Sequence, residues 1–381
     1  MIMHVLIAPN AFKNALNARE VAEAIQTGLL ASKLYCSCTC FPIGDGGDGT
    51  GELLVNRLGG EQVEAVVTDP SGRSVSAGFG WIADRRMAVI EMAAASGLHL
   101  LASDERNPLR ASSVGAGQLI KAALDLNPRD LVIAMGGTAT IDGGSGMLAA
   151  LGVRFINDEG NEITDFPAGL RKLRTIDRSA LDRRLLDCNV TVLCDVDNPL
   201  LGKNGAARVF GAQKGADLAM VAQLEALLHR FSVVIQAETG IAVADLASGG
   251  VAGGASAGWY GIVGATLVKG IDYFLDITRF DDVLRNADLV ITGEGSIDEQ
   301  TLHGKGPYGV ARRAKRNGVP VIGLAGRIPV TVSAELNRYF DALLAINNGP
   351  DTLEEALAAT SVNLERIAMQ LGNLYAAKSD T

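Results

Sequence analysis

Along the chain, short runs of apolar residues alternate with stretches whose apolar positions recur every three or four residues. HVLIAP precedes NAREVAEAIQTGLLAS, DLVIAM precedes DGGSGMLAALG, ADLVIT precedes GPYGVARRAKRNG, and PVIGLAG follows. An apolar run this short suits a buried strand, and the wider spacing suits a helix with one apolar face. Repeated strand-then-helix units predict an α/β architecture with parallel strands. Residues 61–92 break the rhythm: three strand-like segments there are separated by turn signals at Pro70, Gly72 and Asp84, which predicts antiparallel pairing. The longest helical stripe runs from Asp217 to Glu238 through Leu218, Val221, Leu224, Leu228 and Phe231.

The last hundred or so residues return to the plain strand–helix rhythm and match the first sixty better than the middle does. One Rossmann-like domain with a mostly parallel sheet is therefore expected from both chain ends, over residues 1–70 and 260–381. A second, mixed-sheet α/β domain is expected to be inserted over 71–259. A chain of 381 residues is long enough for two such cores. Its net charge of -9 opposes the basic footprint that nucleic acid or anionic membranes attract, so neither is an expected partner. Cys36, Cys38 and Cys40 alternate onto one strand face, and no CxxC pair is present, so packed thiols in a reducing cytoplasm are expected rather than zinc ligands. Neither a signal peptide nor a membrane-spanning run is expected.

Glycine adds the most to this picture. There are 45, where average usage would give roughly 27. They cluster in GDGGDGTG (44–51), MGGTATIDGGSGM (135–147), SGGVAGGASAGWYGIVG (248–264) and ITGEGSIDEQTLHGKGPYG (291–309). The first formally satisfies the dinucleotide fingerprint G-x-G-x-x-G, with Asp69 placed as a ribose acid. Asp45 and Asp48, however, would sit where a pyrophosphate must approach. Two acids held by glycines suit Mg²⁺ or the deprotonation of a substrate hydroxyl, or simply an acidic turn. In the second cluster Gly136, Gly137, Thr138 and Gly143 follow a strand and precede a helix, so their N–H groups can converge on an anion, with Asp142 as a metal or hydroxyl partner.

Two further segments carry charges at strand ends. CDVDNPLLGKNGAARVFGAQKGA places Asp195 and Asp197 together as a candidate Mg²⁺ pair, followed by Lys203 and Lys214 in glycine settings that suit phosphate. The fourth glycine cluster offers Gly293, Glu294, Asp298, Thr301, His303 and Lys305, the last beside a helix start. APNAFKN puts Asn10 and Lys13 in the first loop after a strand. Carboxylates, glycines and lysines at several strand ends are the mixture that phosphoryl transfer needs.

In five ordered segments the chain resembles the bacterial type 1 glycerate kinases: IAPNAFKNALNA, PIGDGGDGT, MGGTATIDGGSGMLAALG, CDVDNPLLGKNGAARVFGAQKGA and ADLVITGEGSIDEQTLHGKGPYGVA. The resemblance implies ATP- and Mg²⁺-dependent phosphorylation of D-glycerate on its 2-hydroxyl. It also implies two α/β domains with the active site in the cleft between them; a homodimer is left open. Asn10, Ala11, Ala15, Ile141 and Ala212 depart from the family pattern. On this reading Asp195 takes the hydroxyl proton, with Asp45 or Asp298 as equal candidates. Asp45 with Asp197 or Glu294 orders metal and substrate, and Lys13 and Lys305 neutralise carboxylate and phosphate. The rival readings are transfer to the 3-hydroxyl, a nicotinamide dehydrogenase using Asp69, and a sugar-acid sensor without turnover.

Overall fold

The structure, a computed structural model, describes residues 2–379 and divides into two compact units, Met1–Asp45 with Ile271–Thr381, and Gly46–Gly270. In chain order the strands are β1 (Met3–Ile7), β2 (Cys36–Cys40), β3 (Glu61–Thr68), β4 (Ser74–Ile82), β5 (Met87–Glu91), β6 (Asp130–Ala134), β7 (Arg154–Asn157), β8 (Leu173–Asp177), β9 (Asn189–Cys194), β10 (Thr266–Lys269), β11 (Leu289–Ser296), β12 (Val321–Arg327) and β13 (Ala342–Ala345).

The first unit is one parallel sheet in the order β13-β12-β11-β1-β2. From β1 the chain moves outward to β2, and from β11 it moves the other way to β12 and β13. The order therefore reverses between β1 and β11, and it is at the carboxyl ends of such strands that open α/β sheets bind ligands. The helix Ala18–Leu30 starts at Asn17, whose side chain accepts from the Arg19 and Glu20 N–H groups while the Glu20 carboxylate returns to the Asn17 N–H. That reciprocal cap is worth about 1 kcal/mol. Val21, Ala22, Ile25 and Leu29 of this helix are buried with Leu364 and Ala368 of the helix Thr360–Ser379. Cys36, Cys38 and Cys40 pack beside that core as free thiols.

The second unit is a mixed sheet in the order β10-β9-β6-β5-β4-β3, parallel from β10 to β5 and antiparallel from β5 to β3. A β7/β8 hairpin stands apart. The expected antiparallel segments are thus β3, β4 and β5, with β5 turning back to pair in parallel with β6. The boundary expected near 70 lies at 45/46, because β3 pairs along its whole length with β4 of the second unit; the later one lies at 270/271 rather than near 260. The long helix spans Leu218–Thr239 and is capped by Asp217. Leu224, Leu228 and Phe231 are buried, but Leu218 is 90% exposed. By length and composition this helix could cross a membrane, contrary to the expectation from the chain; its buried stripe packs into the core of the unit.

Candidate functional site

In the first unit the carboxyl ends of β1 and β11 gather several of the expected residues. The loop after β1 is tied to β11 by the Asn10 N–H donating to the Gly293 carbonyl (2.8 Å), and the segment after β2 by the Ile43 N–H donating to the Pro9 carbonyl (3.0 Å). Asn10 Nδ2 donates to Asp45 Oδ2 (2.8 Å). The same oxygen accepts from the Gly306 N–H (3.2 Å), the first residue of the helix Gly306–Arg316, so Asp45 sits at a helix N-terminus whose dipole favours a negative charge. A Cβ at 306 would lie 2.9 Å from Ile43 Cδ1 and 3.0 Å from Asn10 Nδ2, so the approach is close.

Glu294, at the end of β11, is 8% exposed, accepts from Thr301 Oγ1 (2.9 Å) and has Lys305 Nζ 3.9 Å away. Burial pushes its carboxyl up to about 7; Asp45 adds to this, while Lys305, Thr301 and Lys13 oppose it. Asp298 receives the Gln300 N–H (2.9 Å) and caps the short turn that carries Thr301. It holds Thr301 on Glu294 and is itself a turn residue in this structure. His303 is exposed at the end of the same turn.

In the second unit the glycine clusters serve close backbone contact. The GDGGDG loop packs on the loop after β6: the Gly136 N–H donates to the Gly46 carbonyl (3.1 Å), and Asp48 fills the space that a side chain at Gly137 would take. Gly137 has φ +73, a further reason for glycine there. Asp142 is fully buried and accepts from the Ser113 N–H (3.0 Å), Ser113 Oγ (2.6 Å), and the N–H groups of Gly144 (3.0 Å) and Gly146 (3.4 Å). Desolvation raises its carboxyl above the usual range in spite of those donors. Its oxygens tie the loop to the following helix. The Gly143 N–H donates to the Gly253 carbonyl (3.0 Å), so the third glycine cluster abuts the second.

Asp195 and Asp197 follow β9 as expected. Asp197 is exposed and paired with Lys269 (3.4 Å), while Asp195 is half-buried. Lys203 is exposed and lines a cavity of about 810 Å³ with Arg208 and Leu218. Lys214, expected to meet phosphate, is buried instead, with Nζ donating to Thr138 Oγ1 (3.0 Å) and the Thr140 carbonyl (2.8 Å). Among the described residues no three His, Cys or acidic side chains gather as a metal cage. Single carboxylates are the donor set that suits Mg²⁺ carried in on a phosphate chain, where phosphate and water oxygens complete the shell.

The dinucleotide reading does not survive the geometry. The strand and helix flanking GDGGDG belong to different units, so they form no βαβ unit. The N-terminus of the helix Thr50–Leu58 is taken by the protein's own Glu91, which accepts from the Gly51 N–H (3.0 Å). Asp69 accepts from Ser71 and Arg73 to close the β3–β4 turn. Glu91 and Ser113 were not foreseen in the chain; an acid closing the strand MAVIE is the signal that pointed to the first.

A family model described as the glycerate kinase family matches residues 5–376. Glycerate kinase of Bacillus subtilis (strain 168) is 44% identical, with 97% of each chain covered. Glycerate 2-kinase of Escherichia coli (strain K12) is 40% identical, again over 97% of each. A crystal structure from Salmonella typhimurium LT2, of a protein provisionally named glycerate kinase 2, is 43% identical and superposes with a TM-score of 0.83, covering 100% of both chains.

Proposed function

The chain belongs to the glycerate kinase family, and on that premise we propose that it transfers the γ-phosphoryl group of ATP to the 2-hydroxyl of D-glycerate, giving 2-phosphoglycerate and ADP. The observation that carries the reading is the gathering of Asn10, Asp45, Glu294 and Lys305 where the order of a parallel sheet reverses. The 2-position rests on the relative named for it.

Lys13 and Lys305 neutralise the substrate carboxylate and the transferred phosphoryl oxygens, and Asn10 and Asp45 orient the acceptor by hydrogen bonds. Asp195 takes the hydroxyl proton. Glu294 is a second reading for that step, favoured by a carboxyl that titrates near neutrality, as an efficient general base does. Mg²⁺ enters as part of the nucleotide substrate, where it neutralises phosphate charge; Asp197 or Glu294 would hold it. The free thiols suit a reducing cytoplasm.

Phosphorus NMR of the product formed from D-glycerate, ATP and Mg²⁺ tests the proposal, with L-glycerate, tartronate and a no-metal control alongside. A metal-dependent 2-phosphoglycerate resonance is expected. A 3-phosphoglycerate resonance overturns the position, and no transfer by folded protein overturns the activity.

A further inference from the structure

The loop after β6 is gripped from several sides, and the grip of Lys214 serves no purpose assigned above. A buried ammonium is costly unless its donors are satisfied. Here two of the three go to one short stretch of a single loop, Thr138 Oγ1 and the Thr140 carbonyl. Burial lowers the lysine to about 8, with Asp142 and Asp195 opposing, so the cation prevails at neutral pH. The same stretch is paired with Ser96–Leu98, the Leu98 N–H donating to the Gly137 carbonyl (2.9 Å) and the Ala139 N–H to the Ser96 carbonyl (2.9 Å). The loop's own backbone donors in these bonds are the Gly136, Ala139 and Gly143 N–H groups, and those of Gly137 and Thr138 take no part in them. Gly137 is exposed at the crest. A hydroxyl that accepts from an ammonium must direct its own proton elsewhere. Thr138 therefore carries a second donor fixed in orientation by Lys214.

We propose that Lys214 is the positioning residue of this loop: its buried ammonium holds Thr138 and Thr140 so that the Gly137 and Thr138 N–H groups, with the Thr138 hydroxyl, stay aimed at an oxyanion of the substrate pair. That oxyanion is a nucleotide phosphate or the glycerate carboxylate, which share the donor chemistry. The proposal rests on the phosphoryl-transfer reading above. Wild-type protein run in parallel separates the two, since absent wild-type transfer strikes only at that reading.

The test is steady-state kinetics of Lys214→Met and Thr138→Val, with ATP and D-glycerate varied in turn and folding followed by circular dichroism. Lys214→Met keeps the buried volume and removes the donors. The expected result is a KM raised at least tenfold for one substrate and changed less than threefold for the other. A rise for ATP assigns a phosphate, and a rise for D-glycerate assigns the carboxylate. Thr138→Val is expected to raise the same KM, and the double variant to be no more than threefold worse than Lys214→Met. Any of three results overturns the proposal: folded Lys214→Met with both KM values within threefold of wild type, both KM values rising together, or, where Lys214→Met does not fold, a folded Thr138→Val with unchanged kinetics.

Discussion

At the scale of single residues, burial decides what each charge does. Between about pH 4.5 and 7, Glu294 holds a proton in the folded chain that it gives up in the unfolded one, because its carboxyl stands at about 7 rather than at the ordinary 4.5. Its contribution to stability is therefore complete below about pH 4.5 and is lost as pH rises through 7. Glu294→Gln removes that loss. Relative to wild type the variant is expected to gain on the order of 2–3 kcal/mol between pH 4.5 and 8. Urea unfolding at the two pH values measures it, and parallel behaviour of the two proteins would sink the idea. That Asn10 follows a strand, Glu294 lies near the end of one and Lys305 stands at a helix start was legible in the chain, because an apolar run or a helix-start signal stands beside each. The burial of Lys214 was not legible: it depends on β6 and its loop, more than 70 positions away in sequence. Nothing local announces such a contact.

At the scale of elements, close approach limits the sequence more than propensity does. A Cβ at Gly28 would lie 2.2 Å from the Glu365 carbonyl oxygen, so the helices Ala18–Leu30 and Thr360–Ser379 touch backbone to backbone there. Gly28→Val must force them apart, and a loss of about 2–3 kcal/mol is expected, as for other overpacked cores. Thermal unfolding of the variant checks this; an unchanged Tm would mean that the two helices part at no cost. The strands β3 to β5 and the long helix were readable because alternation and the three-to-four stripe are local properties. The boundary at 45/46 was not, since only pairing shows that β3 belongs with β4 rather than with β2.

At the scale of the whole molecule, the two units are joined by two chain crossings, at 45/46 and 270/271. The second unit carries its own buried core, from Val67 and Phe79 to Trp259. A fragment of residues 46–270 is therefore expected to fold alone, with a cooperative unfolding transition and dispersed amide signals. Collapsed, non-cooperative behaviour would show that its core depends on the other unit. The first unit has no such independence in sequence order, because β1 pairs with β11 on one side and β2 on the other.

That pairing has a consequence for how the chain is made. Val5 lies opposite Leu289, so β1 emerges from the ribosome long before β11, the middle strand of the first sheet. At roughly 5–20 residues per second, residues 46–270 occupy tens of seconds of synthesis. During that time β1 and β2 have only each other and one helix, and the apolar flank of β1 has no native strand to meet. The inserted unit can settle first while the opening strands wait. The lag between the two is built into the gene order of the strands. Nascent chains stalled before Leu289 are thus the form of this protein most in need of a chaperone.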